Sequence, residues 1–278
     1  MSDTLKAIFD IIPSIVDKHN CKHQTFIGFD DYIKNYFSHY NDQLIDFGEL
    51  KFIWPRCSLG NLDSYTFMAF SKIILYKYYV LNKNIYNTVF DIGANIGVDS
   101  IVLGSLGYKV HSFEPNPNMI NIFNNNVSLN SLNNNITIHQ CALSNKNGLE
   151  QFIRVIGNET ASHISGSREH FGEVESFDVN LVRFDSLNVI PDLMKIDIEG
   201  YEKELVPSIS LYVWENCDAF IEIHTELDRK ILFEFFRDNK INIFSQKMGW
   251  GLAHKLEDLP LKYVEGYIFV SKKQIMPW

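Results

Sequence analysis

The apolar residues of the chain alternate between short continuous runs and helical spacing, which is the pattern of a sheet covered by helices. Residues 88–92 are such a run and are followed directly by small residues, as expected of a buried parallel strand that meets a tight turn. A helix over 98–105 and a second strand over 109–113 follow. This strand–helix unit recurs along the chain and predicts a doubly wound α/β sheet.

The same alternation predicts the remaining elements of the sheet. Further strands are expected at 136–141, within 193–200, and at 219–224, 241–244 and 267–271, with helices at 116–131, 201–210 and 228–238. Residues 151–155 and 177–182 alternate as exposed antiparallel strands do. The polar segment 157–172 between them is long for a connection, so we expect either a wall or lid over an acceptor or a mobile surface loop.

Residues 1–85 precede this sheet and contain no recognisable site. Their predicted elements are helices at 5–12 (ending near Pro13), 30–40 and 65–80, and a short strand at 47–54. Asp63 or Ser64 is placed to cap the third helix. We therefore predict a mainly helical N-terminal cap (1–85) that shapes an acceptor pocket, followed by an α/β domain (86–278).

The turn after the first strand of the sheet indicates a nucleoside cofactor. Its spacing, Asp91-x-Gly93-x-x-x-Gly97, lacks the glycine pattern that binds the diphosphate of dinucleotides. Asp91 would repel a diphosphate, whereas it suits a cationic ligand such as the amino group or sulfonium of S-adenosylmethionine. Glu114 ends the second strand, where an acid can accept hydrogen bonds from both ribose hydroxyls.

Composition narrows the classes of function. The chain has 278 residues, 46% of them hydrophobic, and a net charge of −9, which disfavours binding to a nucleic-acid backbone. No apolar run reaches the length of a membrane span, and the first residues lack the features of a signal peptide. The four cysteines form no Cys-x-x-Cys pair, which argues against a zinc knuckle and for free thiols. We therefore expect a soluble cytoplasmic protein.

Polar residues at the ends of two later strands are the candidates for chemistry. Asp197, Glu222 and His224 lie at the carboxyl ends of neighbouring predicted strands, where open α/β sheets bind their ligands. Glu222 and His224 are two residues apart and should share a face of their strand. Any of the three could manage the proton of an acceptor, and His224 is the predicted base because the ordinary pKa of histidine lies nearest to neutral pH. Asp197 is then the candidate to hold the acceptor hydroxyl. Together the three could instead bind a divalent metal, which we do not favour. Lys195 is expected to pair with a nearby carboxylate.

Five segments resemble those of the FkbM-type methyltransferases, class I enzymes that depend on S-adenosylmethionine. The segments follow the family's order and spacing from about residue 88 to 224: Phe90-Asp-Ile-Gly-Ala-Asn-Ile-Gly97, Phe113-Glu-Pro-Asn116, Arg183-Phe-Asp-Ser-Leu187, Lys195-Ile-Asp-Ile-Glu-Gly-Tyr-Glu202 and Ile221-Glu-Ile-His224. The fourth segment is the most specific of them, whereas many methyltransferases share the first. The first 85 residues show no match.

This resemblance implies a Rossmann-like seven-stranded sheet whose last strand is antiparallel, and transfer of a methyl group, usually to an oxygen. Sugar hydroxyls in pathways for polysaccharides, glycolipids or natural products are the acceptors it suggests. Ser144 and Asn145 stand where members often carry an acid, so an acidic contact to adenine is not carried over. The cofactor-binding residues that we predict are Asp91, Gly93, Asn95, Gly97, Glu114, Pro115, Ala142 and Asp197.

The sequence thus predicts an O-methyltransferase that acts on a hydroxyl of a sugar, glycan or glycan precursor. The alternatives are a methyltransferase of a natural product or other small molecule, one of nucleic acid, and a methyltransferase-like binding protein without catalysis. The acidic balance weighs against nucleic acid. The intact turn and acid (Asp91, Gly93, Gly97 and Glu114) weigh against a loss of catalysis.

Overall fold

Helices and short hairpins make up the N-terminal part of the computed structural model, which describes residues 2–16, 23–40, 43–261 and 265–276. The helices are α1 (Ser2–Val16), α2 (His23–Ser38) and α3 (Phe70–Leu81). The strands form two antiparallel hairpins, β1 (Leu44–Asp46) with β2 (Lys51–Ile53) and β3 (Ser58–Leu59) with β4 (Leu62–Asp63). A 3₁₀ helix, Ser64–Met68, leads towards α3.

Strands and helices alternate through the rest of the chain. In chain order they are β5 (Thr88–Ile92), α4 (Val98–Ser105), β6 (Lys109–Phe113), α5 (Pro117–Leu129), β7 (Ile136–His139), β8 (Ala142–Ser144), β9 (Gly148–Val155), β10 (His163–Ile164), β11 (Val174–Arg183), β12 (Leu193–Ile196), α6 (Glu202–Leu205), α7 (Leu211–Asn216), β13 (Asp218–Ile221), α8 (Glu226–Asp238), β14 (Asn242–Ser245), β15 (Gly251–Leu252) and β16 (Ile268–Ser271).

Within the described residues, eight of these strands form one mixed sheet in the order β15-β14-β16-β13-β12-β5-β6-β7. The five strands from β13 to β7 run parallel, so their carboxyl ends lie at the same edge of the sheet. The last strand, β16, is antiparallel to both of its neighbours. The sheet has one strand more than the predicted seven, because the two-residue strand β15 pairs with β14 at the edge.

A smaller sheet branches from the large one directly after β7. Its order is β10-β9-β11-β8, in which β9 and β11 pair antiparallel, as their alternating sequence predicted. Its apolar face, with Phe152 and Ile164, packs against Tyr201, which precedes α6. This packing fixes the segment between β9 and β10 beside the carboxyl-end edge of the large sheet.

The first helix is longer than predicted. α1 continues through Pro13 to Val16 instead of ending near the proline. Proline removes one hydrogen bond of a helix, but the apolar face of α1 is firmly packed. Phe9 and Ile12 are completely buried, and this tertiary packing outweighs the local signal to stop.

Two other predictions for the N-terminal segment are wrong in detail. The single strand predicted over 47–54 is part of the β1–β2 hairpin, which turns at Gly48 with φ +90°. The single helix predicted over 65–80 is divided at Ala69, whose ψ of 151° is not helical. Asp63 caps the first part, since its side chain accepts a hydrogen bond from the backbone N–H of Tyr65.

Later elements follow the predicted pattern more closely. The predicted bounds of β6 and α4 agree with the structure. β13, in contrast, ends at Ile221, three residues before the predicted end at 224. The helix predicted over 201–210 is the short α6 followed by a 3₁₀ turn, Val206–Ser208, because Pro207 has no N–H with which to continue an α-helix.

Apolar side chains fill both faces of the large sheet. Because successive strand residues point to opposite faces, Val89 and Phe220 pack on one side and Phe90 and Ile221 on the other. The first side also holds residues of α1 and α3, including Ile74. The N-terminal segment and the sheet therefore share one hydrophobic core.

The structure also describes the cysteines and the lengths of the apolar helices. Cys57, Cys141 and Cys217 are free thiols, and Cys21 lies outside the described residues. Each helix in the described part of the chain is too short or too polar to span a bilayer.

The shared core predicts the effect of removing Phe220. Its ring lies 4.9 Å from those of both Tyr78 on α3 and Phe269 on β16, measured between centroids. Phe220→Ala should lower the free energy of unfolding by about 3–5 kcal/mol. Phe171→Ala, at a side chain that is 85% exposed, is the matched control and should change it by less than about 0.5 kcal/mol. Denaturant unfolding measures both, and a separate early transition of the N-terminal segment would contradict the shared core.

Candidate functional site

The carboxyl ends of the parallel strands open into a cavity of about 480 Å³. Residues that follow β5, β6, β12 and β13 form its floor, and these include Gly93, Glu114, Asp197 and Glu222. The walls come from two other places. One is the 3₁₀ helix and start of α3 in the N-terminal segment, and the other is the segment between β9 and β10.

The glycine turn after β5 is shaped by close packing. Gly93 has φ +79°, and a Cβ there would lie 1.9 Å from the backbone oxygen of Asp197. Gly97 has φ +87°, and a Cβ there would lie 2.1 Å from the ring of Phe123 on α5. Gly93 lines the cavity, whereas Gly97 does not. We expected both glycines to face a ligand, but the second one serves the packing of α4 on α5.

Glu114 closes the turn and faces the cavity. Its two carboxylate oxygens accept hydrogen bonds from the backbone N–H groups of Asn95 at 2.9 Å and Asn116 at 2.8 Å. Burial raises the pKa of Glu114 to about 7, in spite of these hydrogen bonds. Each oxygen keeps a lone pair, so the residue can accept further hydrogen bonds from ligand hydroxyls. Pro115 and Ala142 also line the cavity, as predicted.

Asp91 lies below the turn and is not part of the cavity wall. It is completely buried, and its carboxylate accepts a hydrogen bond from the hydroxyl of Ser100 at 2.5 Å. The Nζ of Lys195 lies 3.5 Å from its other oxygen, which is the ion pair that we expected for this lysine. The predicted direct contact of Asp91 with a cationic ligand is therefore not what the structure shows. Its carboxylate instead balances a buried lysine.

Asp197 is the most heavily paired carboxylate at the cavity. The Nζ atoms of Lys72 and Lys195 both lie 3.4 Å from its Oδ2, and Nε2 of His224 lies 3.2 Å from its Oδ1. Burial alone would raise the pKa of Asp197, but the three cations together hold it well below its usual range. The residue is therefore ionised at neutral pH.

Lys72 is the functional residue that the sequence analysis missed. It comes from α3 in the N-terminal segment, is buried, and lies 3.3 Å from Asp99 as well as close to Asp197. Burial disfavours its charge, but these two carboxylates raise its pKa above the usual value. Its ammonium also lies 5.0 Å from the ring centre of Tyr267. A lysine within the mostly apolar first half of α3 was the signal for it in the sequence.

His224 is surrounded by carboxylates. Its Nε2 lies near Asp197, its Nδ1 lies 3.4 Å from Glu199, and Glu202 lies 3.6 Å away. Burial alone would lower the pKa of His224, but these acids raise it well above 6.5. An imidazolium with both nitrogens engaged does not suit the general base that we predicted. His224 is also absent from the cavity wall.

Glu222 lines the cavity, unlike His224, although we expected the two to share a face. β13 ends at Ile221, so the alternation of a strand does not extend to either residue. Glu222 is 7% exposed, and burial together with the nearby charge of Asp197 raises its pKa to about 7. A carboxylate with such a pKa is suited to proton transfer near neutral pH.

The metal site proposed from the sequence has a different composition in the structure. Among the described residues, one group of three possible ligands lies within 4.8 Å, and it contains Asp197, Glu199 and His224 rather than Glu222. These groups are already paired with cations: two lysines on Asp197, and Arg168 on Glu199. A protonated histidine offers no lone pair to a metal. This donor set does not fit a divalent cation.

The polar segment 157–172 forms part of the cavity wall, through side chains between Glu159 and Ile164. It is anchored to the turn after β12. Ser167 Oγ donates a hydrogen bond to the backbone oxygen of Glu199 at 3.1 Å, and Lys203 Nζ donates one to the backbone oxygen of Ser167 at 2.7 Å. The sequence analysis expected either a wall or lid over an acceptor or a mobile surface loop. The position of the segment is that of a wall of the cavity.

A doubly wound sheet that carries a glycine turn and an acid at the ends of two adjacent central strands defines a nucleoside-cofactor enzyme. The chain matches the family described as "Methyltransferase FkbM domain" over residues 91–249, more than half of its length. It belongs to this family of S-adenosylmethionine-dependent methyltransferases.

Three known proteins illustrate the relationship. Methyltransferase sdnD of Sordaria araneosa is 26% identical, over 55% of this chain and 76% of that protein. Methyltransferase FkbM from Methylobacillus flagellatus KT has a TM-score of 0.42 and 13% identity, over 74% of this chain and 52% of its own. The methyltransferase PaMTH1 of Podospora anserina, solved with bound SAH, has a TM-score of 0.41 and 10% identity, over 72% and 79%. Structural likenesses this distant carry no argument about the acceptor.

The cavity has features that fit S-adenosylmethionine. Gly93 lines the cavity without a side chain, and Glu114 offers free lone pairs beside it. The side-chain amide nitrogen of Asn116 is buried without a hydrogen-bond partner among the described residues, although its residue lines the cavity. A ligand with hydroxyl and carboxylate groups would satisfy these positions.

Removing His224 should destabilise the fold, because its positive charge is shared by three acids, Asp197, Glu199 and Glu202. His224→Ala should lower the free energy of unfolding by about 3–5 kcal/mol. The folded-state pKa of His224 is raised, so its contribution is complete below about 6.5 and declines as the pH rises through the folded-state pKa. His254→Ala, at an exposed residue, is the control. Denaturant unfolding should show that the difference in free energy of unfolding between the two variants is smaller at about pH 9 than at about pH 6. A gap that is independent of pH would contradict the charged state.

Proposed function

We propose that this protein methylates a hydroxyl group of a sugar, a glycan or a glycan precursor, with S-adenosylmethionine as the methyl donor. The observation that carries the proposal is Glu222, a cavity-lining carboxylate whose pKa lies at about 7. Methylation of a hydroxyl releases a proton, so the site needs a base whose pKa lies near the working pH. Glu222 supplies such a base.

The turn at Gly93 and the carboxylate of Glu114, both at the floor of the cavity, bind the cofactor in this proposal. Gly93 and Asn95 allow the close approach of the ligand, and Glu114 accepts hydrogen bonds from its ribose. Ala142 and Pro115 border the same space. When bound, S-adenosylmethionine supplies an activated methyl group. The chain's own task is then to orient the acceptor hydroxyl and to remove its proton.

Asp197 and Glu222, whose pKa values differ, have separate roles in orienting the acceptor hydroxyl and removing its proton. Asp197 stays ionised, because Lys72, Lys195 and His224 hold its pKa low, and it accepts a hydrogen bond from the acceptor hydroxyl without taking the proton. Glu222 takes the proton as the methyl group is transferred. Carboxylates whose environments separate their pKa values are a common basis for acid–base catalysis.

The acceptor end of the cavity comes from the N-terminal segment, which we propose selects the substrate. Tyr65, Thr66 and Phe67 of the 3₁₀ helix line it together with Leu62. Aromatic rings beside polar groups suit the alternating C–H and O–H faces of a sugar.

The acidic balance of the chain disfavours a nucleic-acid acceptor, and its free thiols suit the reducing cytoplasm. A natural product with a hydroxyl is the second candidate, since the same chemistry serves it.

Tritium transfer separates these candidates. The protein is incubated with S-adenosylmethionine labelled in the methyl group and with panels of sugars and nucleotide sugars, hydroxylated natural products, or RNA. We expect label in the carbohydrate panel. Label only in RNA would refute the proposal, and label only in the natural products would support the second candidate. S-adenosylhomocysteine that binds without transfer to any panel would favour a binding protein without catalysis.

The role of Glu222 predicts a pH dependence. The base is active when deprotonated, so kcat/KM should rise with pH through about 7 and then level off. Glu222→Gln should lower kcat by about 10²–10⁴ and leave the affinity for S-adenosylhomocysteine unchanged. Glu226→Gln, at a side chain that is 63% exposed, is the control. Full turnover in Glu222→Gln, or an unchanged low-pH limb in a partly active variant, would remove Glu222 from the mechanism.

Metal independence follows from the pairing of Asp197, Glu199 and His224 with cations or acids of the chain itself. We expect a chelator to leave methyl transfer unchanged, and added magnesium to have no effect. Turnover with and without EDTA tests this prediction. Loss of turnover that magnesium restores would show that a cation displaces the lysines from Asp197.

A further inference from the structure

Two segments that are far apart in the chain touch beside the cavity. The turn of the β3–β4 hairpin contains Gly60 and Asn61, and the chain leaving β9 contains Gly157 and Asn158. The backbone N–H of Asn61 donates a hydrogen bond to the carbonyl oxygen of Gly157 at 2.8 Å. Gly60 and Asn158 form an isolated antiparallel bridge. We refer to these four residues as the glycine contact.

The close approach of the two backbones requires glycine at position 60, and at position 157 it requires either glycine or a shift of the Asn61 side chain. A Cβ at Gly60 would lie 2.5 Å from the carbonyl carbon of Gly157, which is rigid backbone. A Cβ at Gly157 would lie 2.9 Å from the side-chain nitrogen of Asn61. Both glycines also have positive φ, +77° and +87°. The contact is therefore sensitive to the addition of a single carbon atom.

Each side of the glycine contact continues into a wall of the cavity. After β4 the chain enters the 3₁₀ helix, where Thr66 and Phe67 line the cavity. After Asn158 the chain contributes Glu159, Thr160 and Ser162 to the opposite wall. The glycine contact is thus the place where the two walls meet.

Both walls are fixed to their own parts of the protein. On one side the indole N–H of Trp54 donates a hydrogen bond to the backbone oxygen of Ser64 at 3.0 Å. On the other, Arg154 of β9 pairs with Glu159, with Nη2 2.6 Å from Oε1. Because neither wall is loose in itself, the glycine contact sets the distance between them.

We propose that Gly60 and Gly157 are positioning residues, which hold the two walls together over the ligand-filled cavity. This inference rests on the proposed binding of S-adenosylmethionine and adds a determinant outside the family's motif segments. Loosening of this contact would let the two walls separate and would ease the departure of the cofactor product. A weakened contact should therefore speed the release of S-adenosylhomocysteine.

Dissociation of S-adenosylhomocysteine, followed by stopped flow, tests this role. Gly60→Ala and Gly157→Ala should each release it about tenfold faster than the unaltered protein, equivalent to about 1.4 kcal/mol. The controls are Gly48→Ala and Gly172→Ala, at φ +90° and +94°, where an added Cβ meets no atom within 4 Å. These carry the same backbone strain in the same two segments, so their release rates should stay near that of the unaltered protein.

A rescue variant distinguishes positioning from general strain. In Gly157→Ala the new Cβ meets the amide of Asn61, so the additional substitution Asn61→Ala removes the obstacle. The double variant should release S-adenosylhomocysteine at the rate of the Gly172→Ala control. Gly157→Ala at the control rate, or no rescue in the double variant, would overturn the inference even if Gly60→Ala does not fold. An unaltered protein that binds no S-adenosylhomocysteine would instead overturn the proposed function, and this inference with it.

Discussion

The balance of charge around Asp197 is the constraint on which the site depends. A partly buried carboxylate such as Asp197 loses part of its hydration, and well-placed partners compensate for that loss. Here the partners come from three separate elements: Lys72 from α3, Lys195 from β12 and His224 from the chain after β13. Lys195 is only two residues from Asp197, but the pairs with Lys72 and His224 form only when α3 and the chain after β13 pack beside β12. The contact between Lys72 and Asp197 therefore also ties the N-terminal segment to the sheet.

This balance also decides which residue can accept a proton. The acids around His224 keep it charged, so the usual advantage of histidine near neutral pH is lost. Asp197 is held ionised by the cations, and its charge in turn raises the pKa of Glu222. In the proposed mechanism, the role of base that the sequence assigned to His224 therefore passes to Glu222. A change to any one charge in this group would alter the pKa values of the others.

The sequence predicted those parts of the molecule that depend on local pattern. The bounds of α4 and β6, the turn at Gly93 and the acid Glu114 follow from periodicity and spacing. Lys72 could not be placed, because its partners lie in segments far from α3. The outward direction expected of Asp91 and the shared face expected of Glu222 and His224 were wrong for a related reason. Strand alternation does not predict where Glu222 and His224 point, because both lie beyond the end of β13. It also does not predict that Asp91 pairs with the buried Lys195.

The two glycine pairs show how backbone packing, rather than ligand contact, sets the shape of the cavity. Gly93 and Gly97 bring the first turn against the chain after β12 and against α5. Gly60 and Gly157 bring the N-terminal hairpin against the smaller sheet. The first pair lies within the segments that resemble those of the family, and the second pair lies outside them. On the proposed assignment, the acceptor walls can change with the N-terminal sequence while the cofactor floor is kept, provided that Lys72 still reaches Asp197. On this assignment, the ammonium group of Lys72 is the part of the N-terminal segment that must be kept, because it holds Asp197 ionised.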